Sequence, residues 1–135
     1  MAKLVLTNPS ITIGGVDLSS SINSVTLDTK YDIVETTTFG STAKTRVAGL
    51  ADNSISLEFL QDFAASSVEA TIYPLLGTAT TITIKPVAST VTTTNPSYTV
   101  SAVVSEWQPL KGTVGALATA SVSWPVSGAI TKATS

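Results

Sequence analysis

Residues 54–59 read SISLEF, and this stretch decides the fold because every second side chain is apolar. Successive side chains of a β-strand point to opposite faces, so Ile55, Leu57 and Phe59 share one face. The same alternation recurs in four other segments, at residues 24–27, 81–84, 98–104 and 118–124. Several short alternating segments are typical of antiparallel sheets that form a sandwich or a barrel.

The composition agrees with this interpretation. The chain has 135 residues, the size of one domain, and Ser and Thr make up roughly 30% of it. Thr, Val and Ile are stiff at χ1 and suit a pleated strand better than a helix. Gly14 and Gly15 separate two short apolar runs and suit a two-residue hairpin turn. We therefore expect a single mainly β domain over residues 1–135, with an N-terminal arm at 1–10 and a flexible C-terminal arm at 127–135.

One segment, residues 66–76, breaks the β pattern and predicts a short flanking α-helix. Ser66 and Glu69 have the spacing of a capping box, in which each side chain satisfies a backbone N–H of the first turn. Three apolar side chains fall on one face of that helix: Val68, Ile72 and Leu75. Pro74 lacks a backbone N–H, so we expect the helix to bend or change its turn there.

Residues 29–48 show little alternation and concentrate charge in a chain of which only 12% is charged. We interpret this span as a long loop, and structureless connections of that length are usually functional or disordered. The loop could dock on a neighbouring copy through mixed aromatic and charged side chains; these are Tyr31, Asp32, Glu35, Phe39, Lys44 and Arg46. A merely mobile surface loop is the alternative that the residues leave open.

The composition excludes several kinds of active site. With no His and no Cys there is no imidazole base, no thiol nucleophile, no Cys/His metal site and no disulfide. No motif organises a Ser nucleophile or cradles a nucleotide phosphate. A net charge of −2 argues against a dedicated nucleic-acid binder. We therefore predict no catalytic, metal-binding or cofactor-binding residue, no cofactor, and no enzymatic activity.

Two weaker candidates have simpler explanations. Asp28, Asp32 and Glu35 offer oxygen ligands for a hard cation, but their spacing is not that of a calcium loop, which favours a solvated acidic stretch. Trp107 and Trp124 each precede a proline closely at the end of a predicted strand, which favours a core or protein-contact role over a small-molecule site. The chain shows neither a signal peptide nor a membrane-spanning run, so we expect synthesis and folding in a cytosol.

Several motifs together resemble one protein family. They are VETTTFG at 34–40, TRVAGL at 45–50, QDF at 61–63, YPLLG at 73–77, NPSY at 95–98 and SWPVSG at 123–128. This pattern, across residues 11–130, is similar to the small tail tube (major tail) proteins of long-tailed bacteriophages, especially those that infect actinobacteria.

The resemblance implies a β-sandwich or barrel with one flanking helix outside it and a long loop. It implies that six copies form a ring and that rings stack into a hollow tube, with the 29–48 loop and the terminal arms bridging between rings. The expected partners are further copies of the chain, a tape-measure protein and tail-completion proteins. DNA would pass through transiently and without sequence specificity, and the subunit would not insert into a membrane. The expected location is the virion tail, assembled in the host cytoplasm.

Elementary physics is consistent with such a role. Strands rich in Thr, Val and Ser with few charges leave edges that can pair with another copy. A lumen should carry few cations, since each Lys or Arg contact with phosphate slows DNA passage. Three acids lie on or beside predicted strands and are candidates to face the lumen: Asp28, Glu58 and Glu106.

Two alternatives stay open. One is another virion part, such as a capsid decoration, collar or tail-completion protein. The other is a cell-surface or carbohydrate-binding β-sandwich, which would require Trp107 and Trp124 to be exposed beside a cleft.

Overall fold

The computed structural model describes residues 5–135, and eight strands make up slightly less than half of them. The strands are β1 Ser10–Ile13, β2 Val16–Asp17, β3 Ile22–Glu35, β4 Arg46–Leu60, β5 Ala79–Lys85, β6 Ser97–Val103, β7 Thr119–Pro125 and β8 Thr131–Ala133. One short α-helix, α1 Val68–Ile72, is followed by a 3-10 turn at Tyr73–Leu75, and another 3-10 turn lies at Ser19–Ser21. The predicted fold class, mainly β with antiparallel sheets and one short helix, is confirmed.

The strands form two sheets that pack as a sandwich, one of the two architectures expected from the sequence. The first sheet has the order β2-β1-β5-β6-β8 and the second the order β3-β4-β7, and every pairing is antiparallel. Both sheets contribute to one core, in which the 54–59 stretch buries Ile55, Leu57 and Phe59 as predicted.

An aromatic cluster lies at the centre of this core. The ring of Phe59 meets Trp107 edge-to-face at 5.3 Å between centroids and lies 6.2 Å from Trp124. Each indole also satisfies its N–H: Trp107 Nε1 donates to Glu69 Oε1, and Trp124 Nε1 donates to the backbone oxygen of Glu106, both at 2.9 Å. Both tryptophans are therefore core residues, which was the preferred prediction.

The predicted helix is present but its capping box is wrong. Ser66 has a φ of 59°, which is a left-handed conformation, so the N-cap moves to Ser67 and makes no side-chain capping bond. Glu69 is occupied elsewhere because its carboxylate accepts the indole N–H of Trp107. The turn does change at Pro74, as predicted, where the α-helix gives way to the 3-10 turn.

The two ends of the chain are more structured than predicted where they are described. Gly14 and Gly15, with φ of 59° and 87°, form the expected hairpin turn between β1 and β2. The expectation of a flexible arm at 127–135 is wrong in part, because Thr131–Ala133 pairs with β6 as strand β8. Ser10 of the predicted arm at 1–10 begins β1, and residues 1–4 lie outside the described residues.

The expected loop at 29–48 is instead the outer half of a long β-hairpin. Strands β3 and β4 pair from Ile22 opposite Phe59 to Glu35 opposite Arg46 with two register shifts, and only residues 36–45 form the connecting loop. Alternation is absent here because both faces of this ribbon are exposed, so no face selects apolar residues. The ribbon leaves the core at Asn53, whose side chain is buried. This side chain accepts a hydrogen bond from Thr29 Oγ1 at 2.6 Å and donates one to the Gly128 carbonyl at 3.3 Å.

A β-bulge interrupts the ribbon at Gly49. The register passes from Tyr31 opposite Ala51 to Ile33 opposite Ala48, so strand β4 carries one extra residue there. A Cβ on Gly49 would lie 3.1 Å from Val34 Cγ2 and 3.3 Å from the Asp32 carbonyl oxygen. A Cβ there would force Val34 or the Asp32 backbone to shift by a few tenths of an ångström, which favours glycine, and the bulge increases the local twist of the ribbon.

The aromatic cluster generates a stability prediction. Phe59→Ala should lower the free energy of unfolding by about 3–5 kcal/mol, because it leaves a cavity between two indoles that cannot collapse. Phe63→Ala is the matched control: Phe63 is 62% exposed, and its loss should cost under about 1 kcal/mol. Urea unfolding followed by far-UV circular dichroism measures both, and equal losses would contradict the core assignment.

The bulge generates a second prediction. Gly49→Val should strain the ribbon by about 1–3 kcal/mol through overpacking against Val34 and the Asp32 carbonyl, with little effect on the core. Hydrogen exchange should accelerate at the amides of β3 and β4 beyond Asn53 and stay unchanged around Phe59. Adding Val34→Ala should restore part of the protection, because it removes the nearer of the two contacts. Uniform acceleration throughout the chain would show that the strain is not local.

Candidate assembly surfaces

The outer half of the hairpin, residues 28–52, is defined here as the arm. None of its residues is buried, and within the described part of the chain β3 and β4 pair there only with each other, since the pairing of β4 with β7 ends at Ser54. The arm exposes large apolar side chains: Tyr31, Ile33, Val34, Phe39, Val47 and Leu50. An isolated two-stranded ribbon is marginally stable in water, and clustered apolar exposure marks an interaction surface. The arm therefore has the properties of a segment completed by a partner.

The pairing register assigns the side chains of the arm to two faces. Tyr31 and Ile33 lie opposite Ala51 and Ala48 and continue the core-facing side of β3 outward. The other face carries charges near the core, with Lys30 directly opposite Asp52. Towards the end of the ribbon that face becomes apolar, where Val34 lies opposite Val47. Each face of the arm thus exposes apolar side chains with charged side chains next to them.

Hydrogen bonds close the end of the arm. Thr36 N donates to the Thr45 carbonyl at 2.8 Å, the two threonine hydroxyls are 2.8 Å apart, and Thr45 N donates to Thr37 Oγ1 at 3.0 Å. Gly40, with a φ of 86°, allows the tight reversal beyond them. Phe39 beside it is fully exposed. The connecting loop is therefore ordered by its own polar groups and presents an aromatic ring at its extremity.

The six predicted contact residues all lie on this arm. Tyr31, Asp32 and Glu35 are on β3, Arg46 begins β4, and Phe39 and Lys44 are in the connecting loop. Glu35 and Lys44 are brought together in an exposed ion pair with 3.8 Å between Nζ and Oε1. Val34, Val47 and Leu50 were missed as candidates because a loop interpretation gives no reason to count strand-paired apolar residues.

A second surface is the outward face of the three-stranded sheet, which is lined by small polar side chains. Its residues are Ser24 and Thr26 from β3, Ser54, Ser56 and Glu58 from β4, and Ser121 and Ser123 from β7. Ser56 donates to Ser123 across the strands at 3.3 Å, and Asn23 Nδ2 donates to Glu58 Oε1 at 2.7 Å. Two of the predicted lumen acids, Asp28 and Glu58, project from this sheet. The face combines hydroxyls with negative charge.

The third predicted lumen acid, Glu106, has a different environment. Its carboxylate accepts the backbone N–H of Ser123 at 2.9 Å. The side-chain oxygen of Gln108 accepts the backbone N–H of Ser121 at 3.3 Å. These two side chains cover the free edge of β7, while Trp107 between them is buried. The opposite edge of the sheet is formed by the 14 residues of β3, and no strand within residues 5–135 pairs with it. Because side chains cover the β7 edge, the β3 edge is the longer edge of this sheet that can pair with the backbone of another strand.

A third surface lies at the end of the sandwich opposite the arm, and is defined here as the helix end, residues 61–78 and 104–118. It exposes another apolar group: Phe63, Tyr73, Leu76, Leu110, Val114 and Leu117. The segments are joined by hydrogen bonds, including Gln61 Nε2 to the Pro109 carbonyl at 2.6 Å. Asp62 accepts hydrogen bonds from Ala64 and Ser67, and these donors lower the pKa of its carboxyl below the usual range. The sequence had marked this region only as a helix and a turn.

The described part of the chain was also compared with the requirements of a metal site, a membrane-spanning helix and a carbohydrate site. Among residues 5–135 no cluster of three or more acidic, His or Cys side chains is placed to hold a metal ion. No helix in that span is long and apolar enough to cross a membrane. The carbohydrate-binding alternative required exposed tryptophans, whereas Trp124 is fully buried and Trp107 is 9% exposed.

Comparisons with known proteins give no sequence match but several structural ones. No protein-family model and no curated protein matches the chain. A chain from the virion of a native gene transfer agent particle aligns with a TM-score of 0.71 at 11% identity, over 93% of this chain and 95% of that one. A chain from the sheath–tube complex of the extracellular contractile injection system PVC, in its extended state, gives 0.71 at 14% identity, over 98% and 93%.

A third structure extends the same likeness. A chain from the tail of an empty gene transfer agent particle, solved by helical refinement with C6 symmetry, aligns with a TM-score of 0.59 at 13% identity, over 82% of this chain and 81% of that one. The first two alignments span 93–98% of each chain, so the likeness concerns the complete fold. The chain therefore shares its fold with components of gene transfer agent particles and of a contractile injection system.

Proposed function

We propose that this chain is the structural subunit of a tail tube in a phage-like particle, and that hexameric rings of it stack into a hollow conduit for DNA. The observation that carries the proposal is the unpartnered arm, on a fold shared from end to end with chains of a virion and of a sheath–tube complex. A segment with two exposed faces is held by its cross-strand bonds alone and gains stability when neighbours cover those faces. A subunit that is always surrounded by copies of itself supplies them.

Ring closure and stacking make different demands on the subunit. Closing a ring needs a heterologous contact, and the uncovered edge of β3 offers backbone donors and acceptors to the adjacent copy. Stacking needs a contact along the tube axis that never closes, so that the tube can lengthen. The arm is the element with the length for it, because its part of β4, residues 46–52, extends up to roughly 24 Å beyond the core.

The hydroxyl face of the three-stranded sheet is the proposed wall of the lumen. Asp28 and Glu58 would add negative charge there, and the hydroxyls offer no cation to hold a phosphate. Glu106 is tied to the β7 edge, so it would act there as an edge cover more than as a lumen charge. DNA would pass without being retained.

The same proposal assigns the chain no catalysis and no cofactor, and it places the chain in the virion tail after assembly in the host cytoplasm. A tape-measure protein and tail-completion proteins are its proposed partners, and the subunit is proposed not to enter a membrane. Another virion part, such as a capsid decoration protein, would carry the same fold but bind a preformed lattice. Self-assembly distinguishes the two.

Electron microscopy of the purified chain tests the function. At high protein concentration we expect hollow tubes of constant diameter, with six-fold symmetry in end views and in helical averages. A population that stays monomeric or trimeric at every concentration, and that binds only to preformed capsids, would support the decoration alternative and overturn the tube. Six-fold rings without tubes would support the proposed ring but contradict the proposed stacking of rings.

The lumen assignment has its own test. Ser56→Arg with Ser123→Arg places two cations on the hydroxyl face, so tubes of this variant should retain duplex DNA at low salt and release it as salt rises. Retained DNA should resist nuclease because it lies inside the tube. Thr81→Arg, on the outward face of the five-stranded sheet, is the matched control, and DNA bound to it should be digested. Nuclease-sensitive DNA on both variants would show that the hydroxyl face is not enclosed.

A further inference from the structure

The direction of the backbone groups on the open edge of β3 follows from a bond on the far side of its sheet. Ser123 N donates to the Glu106 carboxylate, so the backbone groups of Ser123 point away from β4. Ser56, which lies opposite Ser123, therefore points its N–H and C=O towards Thr26 of β3. Because this direction alternates along a strand, the odd-numbered residues of β3 point theirs to the open edge; these are Val25, Leu27, Thr29, Tyr31 and Ile33.

This edge can pair with the same edge of a second copy about a twofold axis at Thr29. Thr29 then lies opposite Thr29 of the second copy, and the N–H of each donates to the C=O of the other. In that register Leu27 lies opposite Tyr31, and Val25 lies opposite Ile33. Every outward-pointing backbone group between residues 25 and 33 thus finds an antiparallel counterpart.

The charges on the other face of β3 match in the same register. Asp28 of each copy falls opposite Lys30 of the other, which gives two opposite-charge pairs across the edge. A shift by one residue in either direction places Asp28 or Lys30 opposite itself, and like charges directly opposite are destabilising. A larger shift matches Lys30 with Asp32 but places Leu27 opposite Glu35. Charge and apolar pairing together therefore favour the register centred on Thr29.

A cleft beside β3 offers space for the apolar side chains of a second copy. The cleft has a volume of about 700 Å³, and its lining comes from β3, the five-stranded sheet and the segments next to it. Val25 and Leu27 are only half-buried there. In the register centred on Thr29, Tyr31 and Ile33 of the second copy lie directly beside them on the same face of the sheet. The apolar side chains that line the cleft include Val25, Leu27, Ile84, Tyr98 and Ile130.

The β7 edge of the same sheet does not compete for this pairing. The N–H groups of Ser121 and Ser123 are bonded to side chains, and Thr119 N donates to the Lys111 carbonyl at 3.3 Å. Pro125, at the next outward position, has no N–H. The donors of the β7 edge are thus already used, whereas those of the β3 edge are available to a second strand.

We propose that the free chain forms a twofold dimer in which the β3 edges of two copies pair about Thr29 and join two three-stranded sheets into one of six strands. The contact is isologous, because both copies use the same residues, so it closes on itself. This dimer goes beyond the proposed tube and does not require it. A ring needs a heterologous contact at the β3 edge, so a copy held in the dimer is withheld from ring closure until the dimer dissociates.

Sedimentation velocity of the purified chain, at concentrations below those that give larger assemblies, tests the dimer. We expect a dimer that dissociates on dilution. Hydrogen exchange at the amides of Leu27 and Thr29 should slow as the dimer fraction rises, while exchange in the connecting loop at 36–45 stays unchanged. A chain that sediments as a monomer throughout, or a dimer without this local protection, would overturn the proposal.

Two charge variants test the register. Asp28→Lys and Lys30→Glu each bring like charges together at both contacts, so each should raise the dissociation constant of the dimer by about tenfold. An equimolar mixture of the two variants restores opposite charges at both contacts and should dimerise like the wild type. The mixture also controls for Asp52, which lies opposite Lys30 in the same ribbon, since a distorted ribbon would not be rescued. Failure of the mixture to dimerise would contradict the pairing.

Asp32→Lys is the matched control, because Asp32 lies on the same strand and the same face as Asp28. In the register centred on Thr29 it falls opposite Thr26, so the dissociation constant should stay within about twofold of the wild-type value. A tenfold rise in this variant, with none in Asp28→Lys, would show that Lys30 pairs with Asp32 and would overturn the proposed register.

The dimer and the tube fail separately. Tubes from a chain that sediments only as a monomer before assembly would support the tube and reject the dimer. Wild-type dimers with the predicted charge dependence, in a chain that never gives tubes, would support the dimer and reject the tube.

Discussion

The pairing of β3 with β4 continues well beyond the core that supports it, and this is the constraint on which the rest of the molecule depends. Near Phe59 the ribbon is one layer of a sandwich, covered on one side by the five-stranded sheet. Past Asn53 the same backbone ladder continues with solvent on both faces. Burial anchors one half, while the other half is held by cross-strand bonds alone. A free chain must therefore hold an arm whose full stability comes only from contact with something else.

The inner half of the ribbon receives the packing that makes such an extension possible. Phe59 lies against both indoles, and the indoles fix Glu69 and the Glu106 backbone in turn. The helix, the β7 edge and the connecting segment 104–118 are thereby joined to the same aromatic group. The same aromatic core therefore positions both the helix end and the base of the arm. A displacement of either one is resisted by the packing of this shared core.

The sandwich, the Gly14–Gly15 turn and the change of helix type at Pro74 could be predicted because each depends on local chemistry or on one buried face. The arm could not be predicted as a hairpin, since alternation records a difference between two faces and both faces of the arm are exposed. The capping box was wrong because a tertiary partner, Trp107, takes the carboxylate of Glu69. The six predicted contact residues all lie on one projecting element, and their contact role stays a prediction; the strand pairing of that element needed three-dimensional structure.

The closed end of the arm has a mechanical consequence. In the proposed stack the β3–β4 ladder runs along the tube axis. A force on the end of the hairpin, where Thr36 and Thr45 are hydrogen-bonded, is therefore transmitted along both strands. Pulling the two strands together in this direction does not peel their hydrogen bonds open one after another, as pulling them apart would. The load passes to the junction at Asn53 and the aromatic core, where it is distributed over packed side chains. Such a conduit would resist stretching at the scale of single subunits while each joint between copies stayed free to bend.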